Sequence, residues 1–104
     1  MTRQYDICRN PNKASRTRVP FVVVLQSDLM RDFQTVVVAP LVAETIATKN
    51  SRLNPPLKVQ GKGYRVSMAE LAGVNRKQLG EVVANVQAQH LDFVGAIDLL
   101  FTGI

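Results

Sequence analysis

The sequence predicts a mainly β fold with one C-terminal α-helix. Three observations carry that prediction. VPFVVVLQ (Val19 to Gln26) and TVVVAPL (Thr35 to Leu41) are rich in β-branched residues and apolar on both faces, as strands covered on both sides are. LKVQGKGYRVSM (Leu57 to Met68) alternates apolar and polar residues about a pair of glycines, the pattern of a hairpin. From Gln87 the period lengthens: Phe93, Ala96, Ile97, Leu100 and Phe101 fall on one face of a helix.

Taken in order, Tyr5 to Cys8 reads as a short edge strand. RNPNKASRTR (Arg9 to Arg18) reads as a basic loop, because Asn, Pro, Ser and charges leave it no apolar period. Pro20 stands near the start of the first long strand, where a missing N–H is tolerated. SDLMRDFQ (Ser27 to Gln34) is a polar connection carrying Leu29 and Met30. Pro40 is expected to end the ladder of the second long strand. Val42 to Pro56 reads as an irregular connection. In the hairpin, Leu57, Val59, Tyr64 and Val66 should face inward, with Gly61-Lys62-Gly63 as the turn. AELAGVN fits loop or strand, and Gly73 tilts it to loop. The valines at 82, 83 and 86 favour a strand between Gln78 and Val86. Gly103 sits where a helix takes its C-terminal glycine.

The chain has 104 residues, 46% of them hydrophobic, with mean hydropathy +0.02. That suits one globular domain, residues 1–104. A chain of this size buries roughly two-thirds of its surface on folding. An internal drug-sized cavity is not expected, and part of the apolar content is free to serve a homodimer face. Lys and Arg number 13 against 8 acids, a net charge of +5. The charge is concentrated early, at Arg3, Arg9, Lys13, Arg16 and Arg18 against Asp6. Such a surface suits nucleic acid or an acidic protein partner, or is a solvated loop. Cys8 is the lone cysteine, so no internal disulfide forms, which fits a reducing cytoplasm. MTRQYDICRN lacks the apolar centre of a signal peptide, and no run reaches the roughly 20 residues of a membrane helix. A cytoplasmic protein with no membrane association is expected.

The residues give no positive case for catalysis. His90 and Cys8 form no metal-ligand spacing with the carboxylates, and His90 reads as a cap or surface residue. Asp92 and Asp98, six apart, are expected on different sides of the helix rather than as a close carboxylate pair. Gly61-Lys62-Gly63 is too short for a phosphate loop. No aromatic-rich basic stripe offers base stacking. No cofactor and no metal are expected.

FVVVLQSDLM (Phe21 to Met30), VVAPL (Val37 to Leu41) and GAIDLLFTGI (Gly95 to Ile104) resemble, in order and spacing, the CcdB family of toxins from plasmid-maintenance toxin–antitoxin modules. The resemblance covers nearly the whole chain, weakly between Val42 and Pro56. It implies an SH3-like β-barrel of the CcdB type with a C-terminal helix, and a homodimer. It implies a protein that is not an enzyme and that binds the DNA gyrase A subunit and poisons its cleaved-DNA complex. It also implies a partly disordered antitoxin that neutralises the toxin. Operator DNA would be met only through the toxin–antitoxin complex, in transcription autoregulation.

Carried over residue by residue, Gly103 and Ile104 match the family's gyrase-binding end. Thr102 stands where the family has Trp, Asp98 where it has Asn, and Leu29 and Met30 match an Ile-Ile pair on the same surface. With Phe101, these residues make up the expected gyrase-binding set. Phe101 is placed on the buried stripe and Thr102 outward from it. For the antitoxin, charge points to Arg9, Lys13, Arg16 and Arg18 in one basic loop. The alternative is a CcdB-fold homologue that no longer poisons gyrase but binds antitoxin and contributes to operon autoregulation. A messenger-RNA-cleaving toxin is a more distant possibility, for which no residue set can be assembled from the sequence.

Overall fold

A computed structural model describes residues 2–44 and 50–103. The strands are β1 (Asp6–Arg9), β2 (Phe21–Val24), β3 (Thr35–Ala43), β4 (Pro56–Val59), β5 (Lys62–Val66), β6 (Ala72–Asn75) and β7 (Val82–Asn85), followed by helix α1 (His90–Thr102). The sheet runs β4-β5-β3-β2-β1-β7, all antiparallel, with β6 added beside β3. It curls as a half-barrel, so the expected mainly β architecture with one C-terminal helix is found. Among the described residues no helix is long and apolar enough to cross a membrane.

Two apolar layers flank the sheet. The inner one, under α1, holds Ile7, Phe21, Val23, Leu41, Tyr64, Val66, Met68, Phe93 and Ala96. Burying a side chain the size of Phe93 contributes about 1.5–3 kcal/mol. The outer one is smaller: Cys8, Val22, Val24, Val36 and Val38, with Val19, Val74 and Leu79 packed over it. Both faces of β2 and β3 are therefore consumed inside the chain, as their unbroken apolar runs require. Among the described residues the exposed large apolar ones are Leu29, Met30, Phe33, Val82, Leu91, Val94 and Phe101.

Several local expectations are corrected. β1 is not an edge strand; it lies between β2 and β7, and Ile7 and Cys8 are fully buried. Arg9 is its last residue rather than part of the loop. Pro40 does not end its ladder. On one edge β3 changes partner from β6 (at 35–38) to β5 (at 41–43), and Pro40 falls at the change. Its carbonyl accepts the Ser67 N–H (2.9 Å), and its nitrogen, which has no hydrogen to donate, lies on the same edge, at the change of partner. The hairpin is found with its expected inward set, but the turn is Gln60-Gly61, one position early. Both residues have positive φ (54° and 81°), which makes a tight two-residue turn whose twist matches the strands. Gly73 lies in a strand, paired with Val37.

Candidate functional site

The expected gyrase-binding residues fall on two elements. The first is the 3-10 turn Asp28–Met30. Ser27 Oγ accepts the Leu29 N–H (3.1 Å) and starts the turn. Arg76 clamps it from below through the carbonyls of Phe33 (3.2 Å) and Met30 (3.5 Å). Held this way, Leu29 is 89% exposed. The second element is the last turn of α1. Gly103 takes the left-handed conformation (φ 73°), and its N–H closes on the Leu99 carbonyl at 3.1 Å. Thr102 points outward as expected, and its Oγ donates to the Asp98 carbonyl (2.6 Å). Asp98 is exposed. Ile104 lies outside the described residues.

Phe101 is the main correction. It sits on the apolar period, yet it is 67% exposed. The stripe buries Phe93 and Ala96 and half-buries Ile97 and Leu100, and the cover is gone by Phe101. Periodicity reports a face and not the extent of the body it packs against.

Asp28 Oδ1 accepts the Gln4 N–H (2.8 Å), and the Tyr5 hydroxyl is hydrogen-bonded to His90 Nδ1 (2.5 Å), so the turn is tied to the start of α1. Phe101 lies eleven residues further on, about 16 Å along the helix. Asp92 and Asp98, expected on different sides of the helix, border one shallow cleft of about 310 Å³ with Ser51, Arg52, Leu91 and Gly95.

The proposed antitoxin residues also divide. Lys13, Arg16 and Arg18 are exposed on the loop between β1 and β2. Arg9 extends from the sheet toward Glu81 (3.8 Å) and over the Phe21 ring. The loop is built on Asn10, which is 6% exposed. Its Nδ2 donates to Ser15 Oγ (3.0 Å) and the Val19 carbonyl (2.7 Å), and its Oδ1 accepts the Asn12 N–H (2.9 Å). Its own carbonyl accepts Arg16 Nε (3.3 Å).

Behind this loop lies a feature that sequence reasoning missed. An open trough of about 450 Å³ crosses the outer face of the sheet. Val22, Val38, Val74 and Leu79 line it, and Arg18, Gln78 and Glu70 stand at its polar parts. It is a surface trough, not the internal cavity judged unlikely from chain length. Its lining comes from four separate segments, so no local signal announces it.

Two buried groups show the electrostatics of the core. Cys8 has its thiol pushed up to about 11 by burial and by the neighbouring Asp6 carboxylate. The Tyr5 hydroxyl is also raised, by burial. Tyr5 is stacked on Phe93 and held at φ 67°, a conformation that a bulky residue rarely adopts. Among the described residues, no cluster of three or more His, Cys, Asp or Glu residues could hold a metal ion.

Two of the solved structures that share the fold are toxins. One is a Mycobacterium tuberculosis toxin, MazF-mt6, with TM-score 0.70 and 17% identity, covering 95% of this chain and 96% of that one. The other is the crystal structure of an Mtb toxin, with TM-score 0.67 and 19% identity, covering 80% of this chain and 92% of that one. No curated protein sequence matches the chain. The family model described as CcdB protein matches residues 4–103, and on that match across nearly its whole length this chain belongs to the CcdB family.

Proposed function

We propose that the chain is the toxin of a type II toxin–antitoxin module, acting without catalysis by binding the DNA gyrase A subunit and poisoning it. Membership of the CcdB family and the fold shared with two toxins support the toxin reading. The observation that carries the gyrase reading is the end of α1, where Phe101 stands 67% exposed beside the exposed Thr102 and Gly103. Large apolar side chains held out in solvent on an ordered element mark a surface that meets a partner. Leu29 and Met30 supply a second such patch.

A homodimer belongs to this reading. Leu91 and Val94 are exposed on α1, away from the buried Phe93 and Ala96, and a two-fold interface is the commonest way to cover such residues. The loop cations Lys13, Arg16 and Arg18, with Arg9 at its root, would steer an acidic antitoxin. Operator DNA would then be met through that complex.

Expression in gyrase-sensitive and gyrase-resistant cells tests the target. Growth arrest confined to the sensitive strain is expected, and arrest that persists in the resistant one removes gyrase as the target. A second reading, a homologue that binds antitoxin without poisoning, draws on Thr102. It stands where the family has Trp, and its hydroxyl is already spent on the Asp98 carbonyl.

A further inference from the structure

The trough has the properties of a preformed seat. Its floor is the outer apolar layer, where Val22 and Val38 are 8% and 4% exposed. One wall is the loop fixed by the buried Asn10. The other wall runs through Leu79 and is anchored where the Gly80 N–H meets the Arg9 carbonyl at 3.2 Å. Rigid walls lower the ordering cost of binding. A volume of about 450 Å³ falls within the range of real ligand clefts, roughly 300–1,000 Å³.

Charge says what kind of occupant fits. Arg18 lines the trough, and Lys13 and Arg16 are exposed on the same loop. The acid in the lining, Glu70, has its carboxylate engaged by the Ser67 hydroxyl (2.8 Å). Three cations, Arg18, Lys13 and Arg16, outnumber that one acid, so the apolar floor stands beside net positive charge. A second copy of the chain carries a net charge of +5 and so brings like charge to this basic rim.

We propose that this trough seats one large apolar side chain of an acidic, extended partner segment, with Arg18 taking a carboxylate next to it. The inference rests on the reading of the basic loop as the face that meets the antitoxin. It adds that recognition is apolar as well as electrostatic. Steering charges set the rate of encounter, and the trough side chain sets how long the complex lasts.

The test is methyl NMR on the full chain, following Val22, Val38 and Val74. Three capped peptides serve as probes: Glu-Asp-Leu-Glu-Glu, the same peptide with Ser for Leu, and the same with Lys for every acid. The first is expected to shift the three valines saturably, and each of the others to bind at least tenfold more weakly. Arg18→Glu is expected to weaken the first peptide at least tenfold. Ala72→Trp, at an exposed strand position lining the trough, is expected to block it, with the amide spectrum confirming the fold of each variant.

Shifts confined to other residues overturn the proposal. So does Ser-peptide binding within twofold of the Leu peptide, or an Arg18→Glu variant that loses less than twofold. Valine shifts that change on diluting the chain alone also overturn it, because they mean that a second copy occupies the trough. The outcomes stay separable from the functional reading. Growth arrest without peptide binding removes the trough alone. Peptide binding without growth arrest removes the toxin reading and leaves the trough standing.

Discussion

Gly80 donates its N–H to the Arg9 carbonyl at 3.2 Å, and a Cβ built on Gly80 would stand 2.6 Å from that same oxygen. The bond and the forbidden side chain are one constraint: the segment after the 3-10 turn Arg76–Gln78 reaches β1 only if residue 80 has no side chain. Gly80→Ala should therefore force the backbones apart and cost about 1–3 kcal/mol. Urea unfolding measures it. A loss below about 0.5 kcal/mol would mean the segment relaxes freely.

The loop on the other side of the trough depends on one buried amide. Asn10→Ala leaves the Asn12 N–H and the Val19 carbonyl without the partners they have now, and a lost buried hydrogen bond costs about 1–3 kcal/mol. Amide exchange across Pro11 to Arg18 should quicken more than in β2. Equal changes in the two segments would show that the loop is not a separately held unit.

Cys8 gives a pH dependence with a definite sign. Its folded-state value, about 11, lies above the ordinary 9.0 of a thiol, so the folded chain holds this proton more tightly than the unfolded one does. That contribution is complete below pH 9 and is lost as pH rises toward 11; the raised Tyr5 acts in the same direction. Stability should fall across this interval, and less steeply in Cys8→Ala measured against its own value at pH 7. Iodoacetamide at pH 8 should leave the native thiol unmodified, because the buried thiol is neither ionised nor reachable. Rapid labelling without unfolding would contradict the burial.

For the gyrase surface the informative change is Thr102→Trp. Thr102 is exposed at the last helical position, so a larger side chain there needs no repacking, and one hydrogen bond to Asp98 is lost. An aromatic anchor at an interface is worth roughly 2–4 kcal/mol, or about 30- to 1,000-fold in affinity. Titration against a gyrase A-subunit fragment should show that gain with little change in melting temperature. No effect of the Trp, or nanomolar binding by the unchanged chain, would remove Thr102 from the contact.

Electrostatic steering can be read from rates. Reversing Lys13 and Arg16 to Glu should slow association with an acidic antitoxin and flatten its salt dependence, with a smaller effect on dissociation. Both side chains are exposed, so the fold should tolerate the change. Unchanged rates would make the loop a solvated surface and nothing more.

The sequence by itself determined the elements whose burial pattern is local. The two-sided runs at Phe21–Val24 and Thr35–Ala43 had to be interior strands, because no other structure covers both faces of so many β-branched side chains. The alternation through Leu57, Val59, Tyr64 and Val66 fixed which side of the hairpin faces in, and Gly103 marked the end of the helix. The family resemblance was legible in three blocks for the same reason: each is contiguous. Tertiary structure decided what depends on neighbours distant in the chain. Pro40 is harmless because β3 changes partners beside it, and Gly73 is a strand residue because Val37 pairs with it. Phe101 is exposed although it continues the apolar period of the buried Phe93 and Ala96. The trough exists because Val22, Val38, Val74 and Leu79 converge from separate segments behind a loop held by Asn10. A periodic pattern encodes which side of an element is apolar. Whether that side is covered, and by what, is set by contacts between residues that only the folded chain brings together.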